Sequence, residues 1–213
     1  MKNIKVLVLY SSTKHNETFS YQTSWPTALT NHNLFDCDLL NVSSFGYRTK
    51  LLRLLSIKMR KIDLILIMHS VFSNSNKLGN GWLHDALVQT TIQKIFFIGN
   101  EYKLMPEKMK FSKTLQISML VSQSNSKQIH EIYEEQLGCK IIGLPNTGID
   151  PNMFKPINKI GNRKIDIGYR ATAGTLYLGH NERNSIADYF EKHASKYNLI
   201  TNISTDESKR FNI

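Results

Sequence analysis

The sequence predicts an α/β fold built on a doubly wound, mostly parallel sheet. Short apolar runs alternate with amphipathic stretches along the 213 residues, which is the pattern of consecutive βα units. The apolar runs are continuous rather than alternating, so we expect strands that are covered on both faces. Hydrophobic residues make up 41% of the chain and charged residues 21%, a balance typical of globular proteins.

Six strands are predicted in the first two thirds of the chain, at 4–10, 35–42, 64–69, 94–98, 115–121 and 140–144. Helices are predicted near 19–30, 45–61, 81–91 and 126–137. Asn125 or Ser126 is placed to cap the last of these helices, and Gly138 is placed to end it. The apolar residues of this helix fall on one face, namely Ile129, Ile132, Tyr133 and Leu137. Six strands with crossover helices make one complete Rossmann-like domain.

The composition changes near Pro145. From there to Pro156 the chain is rich in proline, glycine and asparagine, which interrupt regular structure. A strand at 164–170, a helix at 182–197 and a strand at 199–203 are predicted beyond this stretch. Two strands and one helix are too few to bury an independent core. We therefore expect a Rossmann-like domain at 1–145, a linker at 146–163 and an incomplete second Rossmann-like unit at 164–213.

Several classes of protein do not fit the sequence. Two cysteines, Cys37 and Cys139, support neither a disulfide framework nor a cysteine-based zinc site, and they fit a reducing, cytoplasmic setting. No apolar run reaches the ~18 residues that a membrane span needs. The phosphate-binding loop of nucleotidases and the glycine-rich dinucleotide motif are both missing, and no metal-ligand spacing is found. We expect no cofactor and no metal ion.

The net charge of +10 favours polyanionic neighbours, although an AT-rich genome would produce the same excess of lysine. The segment 45–61 combines leucines with lysines and arginines. It either packs on the sheet or lies on an anionic membrane at the inner face as a peripheral contact. No recognition helix or aromatic-basic motif is found, so nucleic acid is not an expected partner.

Ligands of open α/β sheets bind beyond the carboxyl ends of the strands. Four loops of the chain follow predicted strands in this way, three in the first domain and one in the tail. The segment 11–18 follows the first strand and offers hydrogen-bonding groups at a helix N-terminus, for a phosphate, for a sugar or for plain capping. His69 and Ser70 follow the third strand, where a histidine is either a base or a partly buried core residue. Glu101 follows the fourth strand and serves as a base, binds hydroxyls or forms a surface ion pair.

Arg170 ends the first strand of the tail. Its guanidinium is suited to hold a diphosphate. The structural alternative is an ion pair with Asp166 or Glu182.

Three segments and one junction resemble a known family. The junction, with 146–150 and 154–156, resembles the interdomain crossing of GT-B glycosyltransferases. The loop from His15 to Thr18, the strand end at 98–102, and the stretch 165–170 with 177–179 resemble bacterial family-1-like glycosyltransferases of polysaccharide biosynthesis. Asn100 stands where the family pattern has an acidic residue, and Ala171 stands where it has a glycine.

The resemblance implies transfer of a sugar from a nucleotide-sugar to a glycan or lipid-linked acceptor. His15 or Glu101 would be the catalytic base, and Arg170 would neutralise the donor diphosphate. The acceptor side would also use substrate-binding residues, namely Thr18, His69, Ser70, Asn100 and Tyr102. By this resemblance the chain would consist of an acceptor domain plus the first βαβ unit of a donor domain. A non-catalytic module that docks on a separate donor-domain chain is the alternative.

Overall fold

The structure, a computed structural model, describes residues 3–12, 20–43, 62–145, 160–171 and 181–206. The chain divides into two compact units, Met1–Asp150 and Pro151–Ile213. The predicted basic helix at 45–61 lies outside the described residues, as does most of the predicted linker at 146–163.

Strands and helices alternate through the described part of the first unit. In chain order they are β1 (Ile4–Tyr10), α1 (Ser20–Thr30), β2 (Phe35–Asn41), β3 (Leu64–Ile67), α2 (Trp82–Gln89), β4 (Gln93–Phe97), α3 (Met105–Thr114), β5 (Met119–Ser122), α4 (Lys127–Leu137) and β6 (Lys140–Gly143). The second unit contains β7 (Ile167–Arg170), α5 (Glu182–His193) and β8 (Thr201–Ser204), with 3-10 turns at Ile160–Asn162 and Ala194–Tyr197.

The six strands of the first unit form one sheet in the order β2-β1-β3-β4-β5-β6. Every neighbouring pair is parallel, and Val8 of β1, for example, lies opposite Leu39 of β2 and Leu66 of β3. The winding direction reverses between β1 and β3, because β2 is added on one side of β1 and all later strands on the other. The prediction of a doubly wound parallel sheet is confirmed, and the architecture is Rossmann-like.

Apolar side chains cover both faces of this sheet. Along β1, Leu7 and Leu9 join one buried cluster while Val6 and Val8 join the other. Helices α2, α3 and α4 pack on the first cluster, and Trp25 of α1 packs on the second, with its ring 5.4 Å from that of Phe97. The strands contain continuous apolar runs because both faces of the sheet are buried, as expected.

The sequence prediction was wrong between residues 105 and 118. No helix was expected at α3, and a strand was expected from Leu115, whereas β5 begins at Met119. Leu115 is fully buried at the end of α3, and Gln116 turns the chain with φ 52° in the left-handed region. Leu115 and Ile117 are both buried, although they lie in a turn and not in a strand. Their i, i+2 spacing is also that of a strand, which is why a strand was predicted there.

The described part of the second unit forms one parallel βαβ element. Strands β7 and β8 pair in register from Ile167 with Thr201 to Arg170 with Ser204. Among its described residues, only two apolar side chains are buried, and both are small, namely Ala187 and Ala194. Larger apolar side chains of this unit are exposed, namely Ile186, Tyr189, Tyr197 and Ile200.

Candidate functional site

The carboxyl ends of β1, β2 and β3 meet in a network of small polar side chains. The backbone N–H of Ser11 donates to Oγ of Ser70 at 3.0 Å, and its hydroxyl lies 2.6 Å from that of Ser43. Asn41 accepts the Ser12 N–H at 3.1 Å and donates to the Ser12 carbonyl at 2.7 Å. The network surrounds the point where the sheet reverses its winding, which is where ligands of such sheets bind.

His69 follows β3 beside this network and is nearly inaccessible, with 3% of its surface exposed. It lies against Gly99 at the end of β4, where a Cβ atom would stand 3.0 Å from the His69 Cβ. Burial lowers the pKa of His69 to about 4, so the imidazole is neutral at physiological pH. Of the two roles that the sequence left open for His69, base or partly buried core residue, this buried and neutral state corresponds to the second.

The loop between β4 and α3 presents Asn100 and Tyr102. Asn100 has φ 48°, in the left-handed region that asparagine tolerates better than most residues. Its side-chain amide donates to Oγ of Ser73 at 2.9 Å and to Oδ1 of Asn74 at 2.8 Å. Tyr102 is 55% exposed. In this loop the Asn100 amide is therefore fixed by hydrogen bonds, whereas the Tyr102 ring is largely exposed to solvent.

Glu101 occupies the same loop, and its carboxylate binds three partners from β5, its following turn and α4. The hydroxyls of Ser122 and Tyr133 each donate to it at 2.9 Å, and the backbone N–H of Gln123 donates to it as well. Burial and the nearby Glu101 charge raise the pKa of Tyr133 well above its ordinary value. The carboxylate thus connects its own loop to β5, to the turn after β5 and to α4. For Glu101 to accept a proton as a base, some of these hydrogen bonds would have to break.

Lys108 of α3 supports this loop from beneath and was missed by sequence reasoning. It has no exposed surface, and its Nζ donates to the carbonyls of Gly99 at 2.5 Å and Asn100 at 2.9 Å. Burial lowers the pKa of Lys108 to about 8, against an opposing effect of Glu101. The signal was its spacing: Lys108, Phe111, Ser112 and Leu115 follow the i, i+3, i+4, i+7 pattern of a buried helix face.

Arg170 ends β7 in the second unit and is bound by the neighbouring strand. Its Nη1 donates to the carbonyls of Tyr169 at 3.0 Å and Asn202 at 2.7 Å, and its Nη2 donates to Oδ1 of Asn202 at 2.5 Å. Among the described residues Arg170 forms no ion pair with Asp166 or Glu182, which was the structural alternative, and Asp166 accepts the N–H of Ile200 at 2.7 Å. Nε of Arg170 is buried and has no hydrogen-bond partner among the residues that the structure describes.

The first unit brings together five of the predicted site residues at one edge of its sheet: His69, Ser70, Asn100, Glu101 and Tyr102. Arg170 belongs to the second unit. His15 and Thr18 lie outside the described residues, so their assignment remains a prediction. Within the described ranges, no three His, Cys, Asp or Glu residues are placed to hold a metal ion.

Comparison of the chain with protein-family models, with curated proteins and with solved structures gave no match. In the described part of the chain, no helix is both long and apolar enough to cross a membrane.

Proposed function

We propose that this chain is part of a glycosyltransferase that moves a sugar from a nucleotide-sugar donor to a glycan or lipid-linked acceptor. The proposal rests on the resemblance to GT-B glycosyltransferases. The observation that supports it best is the row of hydroxyl and amide groups along the carboxyl edge of the parallel sheet, namely Ser11, Asn41, Ser43, Ser70 and Asn100. Neutral donors and acceptors of this kind suit the hydroxyl groups of a sugar, and a nearby aromatic ring such as Tyr102 offers an apolar surface.

In this proposal the first unit holds the acceptor. Ser70 and Asn100 bind acceptor hydroxyls, and His69 contributes as a neutral imidazole, since its pKa of about 4 keeps it uncharged near pH 7. Glu101 and His15 stay the candidates for the base that removes the acceptor proton. Glu101 is already bound to Ser122, Gln123 and Tyr133, which suits a positioning role. In this proposal proton transfer is therefore assigned to His15, which lies outside the described residues.

The second unit holds the donor in this proposal. The guanidinium of Arg170 is fixed at the carboxyl end of β7 by its bonds to Asn202, and such a fixed cation would neutralise charge on the leaving diphosphate without reorganising. Its buried Nε–H has no hydrogen-bond partner among the described residues, and in this proposal it donates to the diphosphate.

The test is thermal unfolding of the full chain with a panel of UDP-, GDP- and dTDP-sugars at millimolar concentration, since a ligand of the folded state must raise the midpoint. We expect one nucleotide class to raise the midpoint, and we expect Arg170→Gln to abolish the rise. Arg183→Gln is the matched control, because Arg183 is an exposed arginine of the same unit, and it should keep the rise. No shift with any donor, or the same shift with inorganic phosphate, would contradict the proposal.

A second function, a non-catalytic module that docks on another chain, is favoured by one observation. Ile186, Tyr189, Tyr197 and Ile200 are each 43% to 60% exposed. A groove of about 320 Å³ along α5 is lined by Ile186, Tyr189 and Phe190 with Glu182 and Ser185. Clustered exposed apolar side chains mark interfaces more often than active sites. Absence of any donor response in the unfolding experiment would favour this function.

A further inference from the structure

The loop between β4 and α3 is attached to the rest of the first unit by two buried ionisable side chains. Lys108 donates from below to the carbonyls of Gly99 and Asn100. Glu101 accepts from β5 and α4 on the side.

The surroundings of Lys108 match a neutral amine better than an ammonium ion. An amine has two N–H donors, and the structure supplies two carbonyl acceptors, whereas an ammonium ion has three donors and a full charge. Lys108 forms no ion pair with a carboxylate in the part of the chain that the structure describes. Its side chain has no exposed surface, so solvent does not reach the third proton. A buried charge without a carboxylate partner is costly, so protonation of Lys108 weakens the closed arrangement relative to one in which the lysine is exposed.

Five titratable groups surround Lys108. Glu101 and Lys103 share its loop, Glu107 precedes it on α3, Tyr133 faces Glu101 from α4, and His69 lies against Gly99 from the end of β3. The pKa of Tyr133 is raised and that of His69 is lowered to about 4, so both stay uncharged from pH 7 to 10. The two carboxylates oppose deprotonation of Lys108, and Lys103 favours it.

We propose that opening of the β4–α3 loop is coupled to protonation of Lys108: the neutral amine favours the closed loop, and the ammonium ion favours release of Lys108 into solvent. Release frees the carbonyls of Gly99 and Asn100, so the left-handed conformation of Asn100 and the position of Tyr102 depend on it. The carboxyl edge of the sheet would then change shape with pH.

The direction follows from proton linkage. The closed loop has a Lys108 pKa of about 8, and a released lysine has the ordinary value of 10.5. Below pH 8 both forms carry the proton, so the opening equilibrium does not depend on pH. Between about 8 and about 10.5 only the open form carries it, so opening becomes about tenfold rarer with each pH unit.

Amide hydrogen exchange of the full chain tests this coupling. The N–H of Gln123 donates to Glu101, so its exchange reports loop opening, and the N–H of Leu66 in β3 reports the core. After correction for the intrinsic rate, we expect protection of Gln123 to be lower than that of Leu66. We also expect it to be constant near pH 7 and to rise about tenfold per unit above pH 8.

Two variants separate the coupling from ordinary structural support. Lys108→Met keeps the length and removes the proton, so its Gln123 protection should not rise with pH. Lys110→Met changes an exposed lysine of the same helix and should behave as the unmodified chain does. The proposal is overturned by a flat profile in the unmodified chain or by an unchanged rise in Lys108→Met.

A measurement on the unmodified chain decides the matter if Lys108→Met does not fold. Equal protection of Gln123 and Leu66 at every pH would mean that Lys108 is exposed only by global unfolding, and this would also overturn the proposal. Lower protection of Gln123 that tracks the NMR titration of the Lys108 side chain would support it.

Discussion

At the scale of single residues, burial rather than sequence position decides what the ionisable side chains of the site do. His69, Glu101 and Lys108 lie within one small region, yet each has a different environment. His69 is buried and neutral, Glu101 is bound by three donors, and Lys108 is buried beneath two carbonyls. From the sequence, His69 and Glu101 were recognised by their positions after strands. The hydrogen-bond partners of Glu101 were not, because Ser122, Gln123 and Tyr133 are distant from it in the sequence.

The buried state of His69 predicts a loss of stability in mild acid. In the unfolded chain its imidazole takes up a proton as pH falls through about 6.5, whereas the folded chain resists protonation until about pH 4. The free energy of unfolding should therefore fall through this window, by about 2 kcal/mol between pH 7 and pH 5. Urea unfolding at the two pH values measures it, and His69→Gln should remove this share of the loss.

The control for His69 is His193→Gln, because His193 is exposed on α5 and should leave the pH dependence unchanged. If the unmodified chain and His69→Gln lost the same stability between pH 7 and pH 5, His69 would not be the buried neutral group that the structure shows.

At the scale of elements, all six strands of the sheet were predicted, but β5 begins at Met119 rather than at Leu115, and one helix was missed. Gly138 ends α4 with φ 66°, as its position predicted. Ser126 stands at the N-cap of α4 without a side-chain capping bond, and Ile132 is 51% exposed, so the expected face of α4 is narrower than its spacing indicated. Helix α3 was missed because it is strongly polar and begins after Leu104, which has φ 56°. Without α3 in the prediction, Lys108 could not be placed on a buried face.

Gly143 at the end of β6 lies close to the loop between β5 and α4. A Cβ atom on Gly143 would lie 2.7 Å from the carbonyl oxygen of Ser124 and would overlap the side chain of Asn125. A backbone atom cannot move away as a flexible side chain can, so we expect Gly143→Ala to lower the free energy of unfolding by about 2 kcal/mol.

Gly168→Ala is the matched control for this contact, since Gly168 also lies in a strand and a Cβ atom there has no neighbour within 4 Å. It should change stability by less than about 1 kcal/mol in either direction. Equal effects of the two substitutions in urea unfolding would show that the loss of glycine, and not the contact with Ser124, causes the change.

At the scale of the whole molecule, the two units differ in how much apolar surface they bury. The first unit contains both large apolar clusters, with side chains such as Leu9, Ile67 and Phe96 fully enclosed. The described part of the second unit encloses two alanines and leaves Tyr189 and Ile200 exposed. Because burial of apolar area is the main favourable contribution to folding, the stability of the chain is concentrated in the first unit.

This difference predicts how the two units behave when they are separated. A fragment of residues 1–150 should fold alone and unfold cooperatively in urea, since it retains the entire six-stranded sheet and the helices described on both its faces. A fragment of residues 151–213 should lack a cooperative transition, because its described part is one βαβ element that encloses two alanines, which buries too little to offset the chain entropy. Circular dichroism during urea and thermal unfolding measures both, with the full chain as the reference.

A cooperative transition in fragment 151–213 would contradict the argument, and so would the absence of one in fragment 1–150. If the prediction holds, the hydroxyl and amide groups at the carboxyl edge of the sheet can be studied in fragment 1–150, with Arg170 absent.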